Sequence, residues 1–155
     1  MTRTDVAERL QRAIQKLTDR DLELLRRDVN ERSITHRLGT YMQEEFPEWD
    51  VDCEYNRKDF NAKKLDFYPN QSATDDTDAR TVFPDIIVHK RGPAGPNLLV
   101  VEAKKIKDRR QNGQDTDRRK LRAFKGDSDL KYEHAVFLQF RTGKDARVES
   151  PEFID

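Results

Sequence analysis

Residues 81–105, TVFPDIIVHKRGPAGPNLLVVEAKK, constrain this chain more than any other stretch. Two apolar runs, 82–90 and 98–104, flank a turn dense in glycine and proline, which predicts a β-hairpin. Three charged residues interrupt the runs: Asp85 in the first, Glu102 and Lys104 in the second. Folded about the middle of 91–96, the hairpin sets Asp85 opposite Glu102, with Cβ atoms roughly 5 Å apart. Lys104 lies two residues on and shares a strand face with Glu102. Two carboxylates and an ammonium then point from a buried sheet toward one spot.

Charge in an apolar setting costs several kcal/mol unless it is paired or bound to a metal. Neighbouring carboxylates repel each other, and a divalent cation relieves that repulsion. Hard oxygen donors suit Mg²⁺ or Mn²⁺ better than Zn²⁺. The same residues also fit a plainer pattern, an edge strand with Glu102 and Lys104 on its solvent face and Asp85 in a strand-end turn. Spacing alone leaves both readings open.

The length of 155 residues fits one domain (1–155) with a modest core. Only 34% of residues are hydrophobic and 39% are charged, so the core is expected to be compact and the surface ionic. The net charge of zero does not by itself mark a nucleic-acid binder. The one cysteine, Cys53, excludes an intramolecular disulfide and suits a reducing compartment. The N-terminus lacks the apolar segment of a secretion signal, and no apolar run approaches the roughly 18 residues of a membrane span. A cytoplasmic protein with no membrane partner is expected.

Along the chain, residues 4–27 carry a helical stripe of Val6, Leu10, Ile14 and Leu17, and Thr18 with Asp21 resembles a capping box that would start a second short helix. A further helix is expected over 29–45, with Ile34, Leu38, Tyr41 and Met42 inward and Pro47 ending it. Counted back from Ile34 and Leu38, Glu31 falls on the buried face. Asp28-x-x-Glu31 also fits an N-terminal cap, and the local pattern favours that reading. Residues 49–55 alternate as a strand, with Val51, Cys53 and Tyr55 on one side. Residues 56–80 lack periodicity and read as a long surface insertion.

Residues 104–125 hold ten Lys or Arg against three Asp. A helix is expected over 115–125, capped by Asp115, facing inward with Leu121 and Phe124, and stopped by Gly126. Lys120 sits one turn from Phe124, within reach of the hairpin carboxylates. Most such basic runs are solvated faces. Here the segregation of acids and bases along a neutral chain also fits a surface for a phosphate backbone, formed by Lys105, Lys107, Arg109, Arg110, Arg118, Arg119, Lys120 and Arg122. Residues 134–140 form a last buried strand, and a short one is expected near Val148. His36, His89 and His134 are too scattered for a zinc site.

The order helix, strand, strand with Pro84-Asp85, strand with Glu102-Ala103-Lys104, helix, strand resembles the αβββαβ core of the PD-(D/E)XK nuclease superfamily, the restriction-endonuclease-like fold. Glu31 matches the acidic residue that many members carry on the first core helix. The resemblance covers roughly residues 29–141, leaving 1–28 as an N-terminal helical extension. It implies an α/β fold with a central mixed sheet flanked by helices. It further implies a Mg²⁺- or Mn²⁺-dependent nuclease acting on nucleic acid, with DNA favoured over RNA but the choice left open by the sequence. Asp85, Glu102, Glu31 and the Ala103 carbonyl would hold the ion, and Lys104 would orient the attacking water or stabilise charge on the phosphoryl oxygens. Lys120 would touch the phosphate. The small single-domain Holliday-junction resolvases are similar in size and motif layout, but the N-terminal helices and the 56–80 insertion depart from them. In so short a chain, target choice would come from the insertion, the N-terminal helices, a homodimer or a partner protein. Two other classes fit the same residues: a non-catalytic nucleic-acid-binding or assembly module that keeps the fold, and a metal-dependent enzyme acting on another phosphate ester.

Overall fold

The computed structural model describes residues 1–54, 83–92, 94–106 and 114–155. The expected insertion at 56–80 and Tyr55 lie outside them, as do Lys107, Arg109 and Arg110.

Helix α1 (Arg3–Arg26) starts at a capping box in which Thr2 and Asp5 satisfy each other's backbone amides. Its apolar stripe, Val6, Leu10, Ile14, Leu17 and Leu25, is buried. A second helical stretch does follow the Thr18 and Asp21 signal, since α1 is two stretches joined across a kink, but Thr18 does not cap it. The chain kinks at Asp21 (φ −129°) and continues, while the Thr18 hydroxyl donates back to the Ile14 carbonyl. Asp21 caps nothing, because its carboxylate accepts from the Arg37 guanidinium and the Tyr41 hydroxyl across the helix pair.

The turn into α2 (Glu31–Glu45) decides where Glu31 points. Asp28 takes a left-handed conformation (φ 52°), and Asp28 and Val29 donate their amides to Leu25 and Leu24. This closes α1 with a Schellman-type turn, in which aspartate replaces the usual glycine. Asn30, not Asp28, then caps α2 by accepting from the Ser33 amide. Glu31 therefore opens the helix one residue after the cap. It is too early for a capping box, and its carboxylate is left to act elsewhere.

The sheet runs β1 (Asp50–Cys53), β2 (Ile86–His89), β3 (Asn97–Ile106), β4 (His134–Arg141) and β5 (Arg147–Val148), and β6 (Glu152–Phe153) also pairs with β4. The hairpin register matches expectation, with Ile86 opposite Val101, Ile87 opposite Val100 and Val88 opposite Leu99, before a bulge at His89. β3 is central, antiparallel to β2 and parallel to β4. A parallel pair needs a crossover, and α3 (Gln114–Gly126) supplies it. Asp115 falls in the first turn of α3 and does not cap it.

Side-chain alternation sorts the sheet into two faces. Ile86, Val88, Val101, Ala103, Val136 and Leu138 pack under α1 and α2. Ile87, Val100, Ala135 and Phe137 pack under α3 with Leu121 and Phe124. This is a mixed α/β architecture with a helix layer on each face of a central mixed sheet. α1 contributes six buried residues to one layer, so the N-terminal segment is part of the core rather than an appendage to it. Among the described residues, no helix is long and apolar enough to cross a membrane.

Candidate active site

Because β3 is covered on both sides and on both faces, its polar residues cannot sit on a solvent-facing edge. Glu102 is 2% exposed. That removes the edge-strand reading, and a fully buried carboxylate at mid-strand needs a chemical reason.

Alternation puts Glu102 and Lys104 on the α3 face, and Ala103 and Lys105 toward α2. Asp85, one residue before β2, accepts the Ala103 amide at 2.7 Å, which fixes it against β3 beside Glu102. From the other helix layer, Glu31 accepts the Lys105 amide at 2.8 Å. The C-terminal half of β3 thus fixes one carboxylate from the segment just before β2 and one from α2, next to the glutamate it carries itself. On the α3 side, Lys120 Nζ donates to Glu102 Oε2 at 2.8 Å. Asp117, one turn earlier, lies 4.0 Å from both the Lys120 and the Lys104 ammonium nitrogens.

Asp85, Glu102, Lys104, Glu31 and Ala103 are therefore strung along the same half of the central strand, with Asp85 and Glu31 tied to its backbone amides. The ammonium on the carboxylate pair belongs to Lys120, whereas Lys104 is 40% exposed at the rim beside Asp117. Sequence reasoning passed over Asp117 as part of a basic run. Its position, four and seven residues before the buried Leu121 and Phe124, already placed it on the inward stripe of α3.

The electrostatics are those of a crowded anionic pocket. Burial, reinforced by Glu31 and Asp117 against the opposing Ala103 amide and Lys120, pushes Asp85 up to about 6. Burial and the Asp85 charge push Glu102 up to about 8, although Lys120 opposes them. Burial alone would lower the pKa of Lys120, but the Glu102, Asp117 and Asp85 carboxylates together outweigh it and the net shift is upward. Among the described residues, Glu102 Oε1 and Asp117 Oδ2 are buried without a hydrogen-bond partner.

These shifts set a stability profile. Both carboxyls bind protons more tightly folded than unfolded, so their contribution is most favourable below about pH 4 and is lost as pH rises to about 8. In chelator, the melting temperature is expected to fall between about pH 5 and pH 8.5, by an amount worth about 1–3 kcal/mol, and saturating Mg²⁺ is expected to flatten the slope. Thermal denaturation across that range, with and without Mg²⁺, checks the sign. A stability that rises steadily with pH in chelator would contradict it.

Among the described residues, no three His, Cys, Asp or Glu side chains converge as a ready-made cation cage. The donors nonetheless fit a hard divalent cation in chemistry. They are carboxylate oxygens, one of them buried and unpartnered, in a setting that penalises their charge. A cleft of about 960 Å³ opens beside Asp85 and Glu31, walled by Leu24, Asn30, Arg32, His36 and Cys53.

The expected basic surface is divided. Arg119 and Arg122 are exposed. Arg118 forks onto Glu152 at 2.8 and 2.9 Å and lies over the Phe137 ring. The Lys105 ammonium turns back to Asp28 at 2.9 Å and to the Val29 carbonyl at 3.0 Å. His89 is buried, with Nε2 2.8 Å from Asp52, far from the carboxylate cluster in sheet position.

Compared with known protein families, curated proteins and solved structures, the chain gives no match.

Proposed function

We propose that this chain is a metal-dependent nuclease that hydrolyses phosphodiester bonds in DNA through Asp85, Glu102, Lys104 and Glu31. The observation that carries the reading is Glu102, a carboxylate buried in the central strand, with one oxygen that has no hydrogen-bond partner among the described residues, beside the half-buried Asp85. A protein gains little stability from such a pair, and its retention is accounted for if the pair holds a cation. The finer fold assignment belongs to the same proposal. α2, β1, β2, β3, α3 and β4 follow the order expected of the restriction-endonuclease-like core.

In this reading Asp85 and Glu102 hold Mg²⁺ or Mn²⁺, with the Ala103 carbonyl as a further donor and Glu31 completing the shell directly or through water. When bound, the ion would polarise the scissile phosphate and lower the pKa of a water molecule. Asp85 is held in place by the Ala103 amide and Glu31 by the Lys105 amide, so both carboxylates are oriented by β3 before any ligand arrives. Lys104, half in solvent on the same strand face as Glu102, places its ammonium against the attacking water or the phosphoryl oxygens. The cleft beside Asp85 and Glu31 would receive the strand, on the side of the site away from Glu102 and Lys120. One such site cuts one strand at a time, so cutting a duplex through both strands calls for a homodimer or a partner protein.

The test is incubation with supercoiled plasmid and with labelled linear, branched and single-stranded DNA, in Mg²⁺, Mn²⁺ or EDTA. Metal-dependent cutting that EDTA stops is expected, and the preferred substrate narrows the class. Absence of cutting on every DNA, together with absence of Mn²⁺ binding, would overturn the proposal.

A further inference from the structure

Lys120 occupies a position that cleavage chemistry alone does not explain. Its side chain is only 20% exposed, and its ammonium lies against Glu102, whose own side chain is 3% exposed. It faces Glu102 at 2.8 Å and Asp117 at 4.0 Å, and it feels the field of Asp85. An ammonium has three donors and takes one oxygen of Glu102, leaving Oε1 of that carboxylate and Oδ2 of Asp117 without a hydrogen-bond partner among the described residues. The carboxylates are thus neutralised in part by a cation that belongs to the chain, and they keep donor capacity for a second one.

We infer that Lys120 is a resident counter-cation, a positioning residue that competes with the divalent ion for Glu102 and moves toward Asp117 when the ion binds. The inference rests on the metal-site reading above. Asp117 suits the receiving role because its Oδ1 is already 4.0 Å from the ammonium, and its buried Oδ2, 4.0 Å from the Lys104 ammonium, has no hydrogen-bond partner among the described residues. The displaced lysine exchanges one carboxylate for another and stays paired, so the exchange avoids stranding a buried charge. Without such a partner, two carboxylates this close would destabilise the metal-free chain. With it, the chain folds before metal arrives, and metal affinity is reduced by the strength of the pair being broken.

Mn²⁺ affinity, measured by calorimetric titration of folded protein without substrate, tests this for wild type, Lys120→Met and Lys120→Arg. Lys120→Met removes the charge at similar length. It is expected to bind Mn²⁺ at least about tenfold more tightly and to show a larger rise in melting temperature on metal addition. Lys120→Arg keeps a cation and is expected to gain no affinity. If wild type binds Mn²⁺ and Lys120→Met binds it equally or more weakly, the counter-cation role is overturned while the nuclease reading stands. Lys120 would then be a phosphate contact, lowering DNA affinity when replaced. If neither protein binds Mn²⁺, the metal site itself is overturned and the inference falls with it. If Lys120→Met does not fold, Lys120→Arg decides alone, since unchanged or weaker binding agrees with the role and clearly tighter binding contradicts it.

Discussion

Replacing Glu102 with glutamine is expected to lower metal-dependent cleavage by on the order of 10³-fold or more, about 4 kcal/mol of transition-state stabilisation. The same substitution is expected to make the metal-free protein more stable near pH 8, where Glu102 becomes ionised. Both effects come from one feature, a charge held where burial and Asp85 oppose it. Glutamine keeps the shape and an acceptor oxygen for Lys120 but removes the repulsion, which suggests a gain of about 1–2 kcal/mol in chelator near pH 8. It also removes the charged donor that a divalent ion needs. A residue whose loss stabilises the fold and abolishes activity has a functional rather than an architectural role. Urea denaturation in chelator, beside single-turnover cleavage in Mg²⁺, measures both. Destabilisation by more than about 2 kcal/mol would instead make Glu102 a structural member of its pair with Lys120.

Lys104→Ala is the second large expected effect, a fall in cleavage rate of about 10²–10³-fold with Mn²⁺ affinity kept within about threefold. Lys104 lies on the strand face of Glu102 but is 40% exposed and only loosely associated with Asp117 at 4.0 Å. Among the described residues its ammonium makes no pair closer than this, so removing it is expected to cost little stability. The loss is therefore expected in the rate at saturating DNA rather than in the midpoint of unfolding. Cleavage rates at saturating substrate, with a metal titration of the same protein, separate these. A parallel fall in metal affinity would move Lys104 from the chemistry to the architecture of the site.

The central hairpin was legible from sequence because its signals agree. Two β-rich apolar runs and a Gly/Pro turn fix a register, and the register alone sets Asp85 beside Glu102. The inward stripe of α3 was legible for the same reason, through Leu121 and Phe124. The α1–α2 junction was not. Asp28-x-x-Glu31 and Asn30-x-x-Ser33 are both plausible caps over overlapping residues, and the choice between them is made by a left-handed Asp28 that closes the preceding helix. Thr18 and Asp21 were legible in part, since the helical geometry does break at Asp21, while burial on both sides keeps the two stretches in one line of packing. The cation that meets Glu102 could be narrowed from sequence but not assigned. Lys104 and Lys120 both lie within reach, and only the packing of α3 on β3 seats Lys120 on the carboxylate. Asp117 was hidden by composition, an acid among ten basic residues, although its spacing from Leu121 and Phe124 marked it as inward.

The most direct measurement is single-turnover cleavage of end-labelled DNA by wild type and Glu102→Gln, prepared and assayed together in Mg²⁺ with an EDTA control. The account predicts cutting by wild type that EDTA stops, and a rate for Glu102→Gln lower by on the order of 10³-fold with the fold intact. Cutting by Glu102→Gln at the wild-type rate, or cutting by either protein in EDTA, would contradict it.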